Sequence, residues 1–468
     1  MTPTSKPRRP PSAGSTARSQ RSDSLAAPLW LLLTAAAQAL QAIVAGQSGS
    51  QAVAGMSAVL RPGSQALLFH ALRHLGQARA LSRQLVPRKP PPPVEALLQL
   101  VLGLACDEVS CPYPAHTLVD QAVEAAKRHP RMRAQAGLVN ACLRRWMRDR
   151  TALLAACESL EARWNHPAWW IERLQVDYPD AWPMILQANQ RQAPLTLRVN
   201  RLRVTRDRYL ELLMQQGLEG VPVGPVGIAL RRAVPVGALP HFSDGWVSVQ
   251  DEAAQRAAPL LLQGLQVPGA LCRVLDACAA PGGKTAHLLE LGGDDIQVTA
   301  LEVDAKRAES IHSTLKRLRL QAQVLVADAG DPASWPDDAR QPYEGILLDA
   351  PCTASGIVRR HPDIRWLRRP GDIDQLAHEQ ARLLRALWPL VKPGGRLLYC
   401  TCSVFRTEGA LQVEAFLAHN TDARLLPSPG HLLPGGAASG AAVPDNQAGD
   451  QDGFYHDGFY YALLEKRP

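Results

Sequence analysis

From about residue 270 onward the chain repeats one unit: a short apolar run, a tight turn, then a stretch of helical period. "CRVLDACAAPGGKT" leads into "AHLLELGG" and "IQVTALEVD" into "AKRAESIHSTLKRLRL". "AQVLVADAGD" is followed by "YEGILLDAP", and "DIDQLAHEQARLLRALWPLV" precedes "GGRLLYCTCSV". Apolar strands alternating with amphipathic helices predict a doubly wound α/β sheet over 251–468, with ligands at the carboxyl ends of its strands.

The remainder has a different texture. Residues 25–165 read as helix after helix, an all-α module. "GSQALLFHALRHLGQARALSRQLV" sets Leu67, Leu68, Leu72, Leu75, Leu81 and Leu85 on one side of one helix. "PRKPPPPVEALL" ends it and starts another, and "VEALLQLVLGLAC" is apolar nearly all round, hence central. Between 166 and 250, "LTLRVNRL", "GIALRRAVPV" and "GWVSVQD" alternate like strands, so a small α+β subdomain with two or three strands is expected. Residues 1–24 are rich in Pro, Ser and Arg, with too little apolar surface to repay ordering, and are expected to be a disordered basic tail. The following run, "LAAPLWLLLTAAAQALQA", imitates a secretory signal. Its large apolar residues Leu29, Leu33, Leu40, Ile43 and Val44 keep a three-four spacing, which favours a buried amphipathic helix too short and broken to span a membrane.

With 468 residues, a net charge of +8 and a pI near 9.1, the chain suits an anionic partner without naming one. The densest charge is Lys127, Arg128, Arg131, Arg133, Arg144, Arg145, Arg148 and Arg150, with Trp146 among them. Arginine forks for phosphate and an aromatic for stacking fit RNA; a solvated helix face fits as well. Nine cysteines in such a length are no disulfide framework, and the absence of C-x-x-C argues against structural zinc. Reduced thiols in a cytoplasm are expected.

The turn "LDACAAPGGKT" has small residues and two glycines after a strand, where backbone can approach a ligand and the next helix offers free N–H groups. It lacks the P-loop spacing. Glu302, about twenty residues on at the next strand end, suits two ribose hydroxyls, and Asp328 after the third strand suits an adenine. In "LLYCTCSVF", Cys400 and Cys402 sit two residues apart and can share a strand face.

"DACAAPGGKT", "LLDAPCTASG", "RRHPDIRW" and "TCSV" together resemble the S-adenosylmethionine-dependent RNA 5-methylcytosine methyltransferases, as do "GLVNACLRR", "LRVNR" and "GWVSVQDEAAQ". The resemblance covers nearly everything after the tail. It implies a Rossmann-like catalytic domain preceded by a NusB-like helical domain and a small linker subdomain. It further implies that Cys278, Ala279, Ala280, Pro281, Gly282, Gly283 and Lys284 wrap the methionine end of S-adenosylmethionine. Glu302 would then hold the ribose, Asp328 would lie by the adenine, and Asp349 between cofactor and base. Of the two cysteines, Cys402 would attack carbon 6 of cytosine and Cys352 would assist release, while Cys400 packs. A thiolate on carbon 6 makes carbon 5 nucleophilic, and the later loss of the carbon-5 proton needs a base.

The implied substrate is one cytosine of 16S rRNA, naked or in a partly assembled small subunit, handled by a monomer without a metal. A transfer-RNA cytosine methyltransferase would share every catalytic residue. A non-catalytic, antitermination-like RNA-binding factor would not need Asp349, Cys352 and Cys402. The loop with Arg359, Arg360, His361, Asp363 and Arg365 can hold phosphates around an extruded base or act as a structural latch. Two departures from the family stand out. "FRTEGA" keeps Glu408 but has Gly409 where Asn is usual, and "QDGFYHDGFYYALLEK" doubles the DGF motif, with the copy at Asp457 expected to be structured.

Overall fold

The computed structural model describes residues 27–107, 110–111, 113–265, 271–435 and 455–468. The tail 1–24 and the first DGF copy, 452–454, lie outside the described residues.

The helical module starts with Leu29–Val44, a packed helix in which Leu33, Leu40 and Ile43 are buried, while Val44 lies half-exposed outside the expected stripe. The helix Pro92–Cys106 begins with two prolines whose missing N–H groups cost nothing there, and every residue from Ala96 to Ala105 is buried. It packs against Leu29–Val44, Arg61–Arg73 and Leu75–Leu85, and Gly103 lets the Ala71 carbonyl come within 3.0 Å of where a Cβ would stand. The single helix expected over the leucine-rich stretch is thus two, broken at His74 (φ −108°, ψ 14°), although all six leucines are buried as expected. Trp146, offered by the sequence for stacking on RNA or as part of a solvated face, is instead buried in the core with the Arg150 guanidinium over its ring. Arg144, Arg145 and Arg148 around it are exposed.

The linker sheet has four strands, one more than the upper expectation: β1 (Leu195–Val199), β2 (Gly220–Val223), β3 (Gly227–Leu230) and β4 (Val247–Val249). Their order is β2-β3-β1-β4, all antiparallel. The unforeseen β2 is an edge strand carrying Pro222, the position in a sheet where proline's missing donor is tolerated.

The catalytic sheet comprises β5 (Cys272–Asp276), β6 (Ile296–Glu302), β7 (Gln323–Val326), β8 (Tyr343–Asp349), β9 (Val391–Thr401), β10 (Ala423–Leu432) and β11 (Phe459–Lys466), in the order β10-β11-β9-β8-β5-β6-β7. β5 to β9 are parallel; β11 runs antiparallel to β9 and β10. Side chains alternate into two cores, Leu347 and Leu398 on one face and Ile346, Leu348 and Tyr399 on the other. This is the doubly wound, Rossmann-like sheet expected. Parallel register lines up the carboxyl ends of β5, β8 and β9, pairing Asp276 with Leu347 and Asp349 with Cys400.

The loop after β8 is a latch. Arg359, almost wholly buried, pairs with Asp457, and Arg360 reaches Asp457 at 2.5 Å and Asp251 at 2.7 Å. Arg365 is fully buried and donates to Asn165 O, Asn189 O and Gln190 Oε1. Asp363 accepts from the Gly49 N–H at 2.8 Å, and the Trp366 indole donates to Leu72 O at 2.9 Å. These arginines are committed to protein partners, which supports the latch, and the DGF copy at Asp457 receives two of them.

Candidate active site

Each functional side chain hangs from a strand end or the turn after it. β5 ends in Asp276, and "ACAAPGG" turns sharply into the helix Gly283–Gly292. Gly282 takes φ +93° and lies so close to the helix Ala305–Leu318 that a Cβ would stand 3.1 Å from Ile311 Cα. A cleft of about 240 Å³ opens over these ends, small for a nucleoside-sized ligand. Its walls include Cys278, Ala280, Glu302, Val303, Ala327, Asp328, Ala329, Asp349, Cys352, Ala354 and Cys402. Larger hollows, of about 550 and 620 Å³, lie on the helical module and beside the linker sheet, without such a convergence of acids and thiols.

Of the seven residues expected around the methionine end, Cys278 and Ala280 line the cleft; Ala279, Pro281, Gly282 and Gly283 form the turn behind it. Lys284 stands one layer back, its Nζ donating at 2.6 Å to Oδ2 of Asp349, an acid of the cleft wall. Burial works against the lysine's charge, but Asp349 outweighs it and holds the ammonium well above the ordinary range. The other Asp349 oxygen accepts from the Cys400 thiol at 3.5 Å, so Cys400 is core that also touches the acid. Burial pushes the Cys278 thiol, which lines the cleft wall, up.

Glu302, nearly buried, accepts from the Asp304 N–H at 3.2 Å and from Arg307 at 3.3 Å, both on Oε1. Asp328 accepts two bonds from Arg382, at 3.0 and 3.1 Å, and one from the Gly330 N–H; these donors hold its carboxyl below the usual range. A Cβ at Gly330 would stand 1.8 Å from Arg382 Nη1, so any side chain there would displace this guanidinium. Small alanines, two acids at successive strand ends and a turn that bares backbone fit an adenosine-bearing cofactor.

At the cleft's mouth Cys352 Sγ and Cys402 Sγ stand 3.4 Å apart, though fifty residues separate them in sequence. The bond to Cys402 first, then burial, then the nearby charges of Cys402 and Glu408 push the Cys352 thiol up. Behind the pair lies a network whose importance the sequence reading missed, with Glu408 at its centre among Thr353, Ser403 and Gln380. Its only signal was an acid in the turn after the second cysteine.

A doubly wound sheet with acids at its strand ends and a thiol pair over the cleft defines a Rossmann-like group-transfer enzyme. Residues 268–465 match the family described as 16S rRNA methyltransferase RsmB/F, 166–237 an RsmF/B-like, ferredoxin-like domain, and 33–148 the NusB family. Ribosomal RNA small subunit methyltransferase B of Cronobacter sakazakii (strain ATCC BAA-894) is 39% identical over 443 residues, 93% of this chain and 99% of that protein. The protein of the same name from Escherichia coli (strain SMS-3-5 / SECEC) is 39% identical over the same shares. The crystal structure of PH0851 shares the fold, with a TM-score of 0.72 at 24% identity, over 93% of this chain and 99% of that one. The chain belongs to the 16S rRNA methyltransferase RsmB/F family, and it is a methyltransferase.

Proposed function

We propose that this enzyme methylates carbon 5 of one cytosine in 16S rRNA through a covalent bond between Cys402 and the base. The observation that carries the reading is the 3.4 Å thiol pair beside Asp349 at the mouth of the cofactor cleft. The cofactor, S-adenosylmethionine, supplies an electrophilic methyl group when bound. Cys278 and Ala280 by contact, and Ala279, Pro281, Gly282 and Gly283 as the turn, hold its methionine end, Lys284 acting through Asp349. Glu302 takes the ribose and Asp328 lies by the adenine.

Cys402 attacks carbon 6: the S–C6 bond forms, the C5=C6 π pair shifts, and carbon 5 becomes nucleophilic. Asp349 faces the base with the Lys284 ammonium beside it, a fixed charge for the charge developing on the ring. Cys402 gives up its proton to solvent as it attacks, while Cys352, whose ionisation is opposed first by its bond to Cys402, keeps its own. Once Cys402 is bonded to carbon, the largest cause of that opposition is gone. Cys352 then sheds its proton to solvent, takes the one leaving carbon 5, and the S–C6 bond breaks to return Cys402.

The division 1–24, 25–165, 166–250 and 251–468 separates tail, NusB-like, linker and catalytic parts. The helical and linker parts, with exposed Arg144, Arg145 and Arg148, present the 16S rRNA surface. Among the described residues no helix is long and apolar enough to cross a membrane. The enzyme acts in the cytoplasm as a monomer without a metal.

The test is to incubate wild type, Cys352→Ala, Cys400→Ala and Cys402→Ala with labelled S-adenosylmethionine and unmodified small-subunit rRNA. Methylcytosine and a denaturant-stable protein–RNA adduct are then measured. Cys352→Ala should accumulate adduct, Cys402→Ala should give neither adduct nor product, and Cys400→Ala should retain turnover. Swapped outcomes for the first two would make Cys352 the nucleophile. Transfer to tRNA alone would move the substrate, and RNA binding without transfer by wild type would leave a binding factor.

A further inference from the structure

One buried acid behind the thiols has no role in the steps above. Glu408 is fully buried in the short turn Arg406–Glu408. Its Oε1 accepts from the Thr353 N–H at 2.8 Å and from Gln380 Nε2 at 3.3 Å. Its Oε2 accepts from the hydroxyls of Thr353 and Ser403, both at 2.5 Å. All four donors are uncharged. Burial therefore raises the carboxyl's pKa, and only these hydrogen bonds pull it back. A carboxylate is a costly filler for such a place, where an apolar group of similar size is often no worse.

What distinguishes the arrangement is where the donors sit in sequence. Thr353 directly follows Cys352, and Ser403 directly follows Cys402. A single carboxylate thereby fastens the loops that carry both sulfurs. The same loops are stitched again by Gly356 N–H to Cys402 O at 2.9 Å and by the Ser355 and Ser403 hydroxyls at 2.9 Å. The Thr353 and Ser403 hydroxyls also stand 3.4 Å apart, but among the described residues only Glu408 accepts hydrogen bonds from both.

We infer that Glu408 is a positioning residue that, by bridging Thr353 and Ser403, holds Cys352 against Cys402 so that one sulfur attacks while the other serves release. This rests on the assignment of Cys402 as nucleophile. The carboxylate's charge also opposes ionisation of Cys352, so it helps decide which thiol keeps its proton.

The two effects separate by substitution. Glu408→Gln keeps the shape of the bridge, because the amide oxygen still accepts and the two hydroxyls can rotate to accept from its NH₂, but it removes the charge. Glu408→Ala removes both. With the full chain, labelled S-adenosylmethionine and unmodified small-subunit rRNA, Glu408→Ala should lose about 100-fold in kcat, the scale of a misplaced reacting group. Its affinity for S-adenosylmethionine, measured by calorimetry, should stay within about threefold, since Glu408 does not line the cleft. Glu408→Gln should recover at least about a tenth of wild-type kcat, with its pH–rate profile displaced to lower pH because Cys352 ionises more readily.

A Glu408→Ala kcat within about threefold of wild type would overturn the inference. So would a Glu408→Gln variant that is folded yet as inactive as the alanine variant, since the bridge it preserves would then not be what holds the thiols. If Glu408→Ala does not fold, the glutamine variant alone decides. Adduct formation by Cys402→Ala with Glu408 intact would instead sink the nucleophile assignment, whatever Glu408 does.

Discussion

Asp276 closes β5 with one oxygen, Oδ2, accepting from Thr285 at 2.7 Å and the other without a partner. Burial raises its pKa to about 7; Asp349 and Glu302 push the same way, against the Thr285 bond and Lys284. An unfolded aspartate titrates near about 3.9, so between these values the folded chain binds the extra proton. Its contribution to stability is complete below about pH 4 and is lost as the pH rises through about 7. Asp276→Asn has no such titration. The stability of the variant relative to wild type should rise by on the order of 2 to 3 kcal/mol between pH 5 and pH 8, read by urea unfolding. A difference that does not change with pH would remove burial of this acid as its cause. Asp276 was visible in the sequence as a member of "DACAAPGGKT", but its depth was not, because depth depends on β6 and β8 closing over it. The meeting of Cys352 and Cys402 was legible only through the motifs around them. No local period joins residues fifty apart; the β8–β9 register does.

Among the elements, the turn after Cys402 explains the chain's departure from its family at Gly409. A Cβ there would stand 2.4 Å from His431 Cε1 on β10 and 2.9 Å from Tyr460 Cγ on β11. The imidazole occupies that space and its Nε2 accepts the Ala410 N–H, one of the free donors at the start of the helix Ala410–His419. Burial pushes this histidine's pKa down to about 4, which keeps the ring neutral and able to accept. Gly409→Ala should therefore cost about 1 to 3 kcal/mol by overpacking. In a double-mutant cycle with His431→Ala, the loss of the double mutant should fall short of the sum of the two single losses by about 1 kcal/mol or more. Simple additivity would mean that the glycine is not there for the histidine. The sequence reading noticed Gly409 but had no means to find His431, which lies across two strands. It also ran two helices together at His74, where neither glycine nor proline marks the break. The helix Leu160–Trp164 packs so close that a Cβ at Gly76 would meet the Glu161 carbonyl at 2.2 Å. Tertiary packing set that boundary.

For the molecule as a whole, residues 359–366 are the joint. They touch the helical module through Gly49 and Leu72, the linker through Pro194, and the catalytic sheet through Asp457. Arg365 is a buried cation held by carbonyls, two of them at the ends of Leu160–Trp164 and Trp182–Gln190, where helix dipoles are negative. A lysine has no planar fork to span them. Arg365→Lys should lower Tm and split one calorimetric transition into two, with about 1 to 3 kcal/mol lost for each acceptor left unpaired. An unchanged single transition would show that the joint lies elsewhere. The sequence offered this loop as clamp, latch or both, and the latch rests on Asp251 and Asp457, about a hundred residues away in either direction. A last consequence comes from strand order. β9, whose end carries Cys402, is flanked on one side by β8 and on the other by β11, which the ribosome makes some sixty residues later. During synthesis β9 is thus an apolar edge awaiting its neighbour, open to pairing with other chains. Until β11 is made, the strand that positions Cys402 is held on one side alone, and that interval is the one in which the chain is most exposed to aggregation.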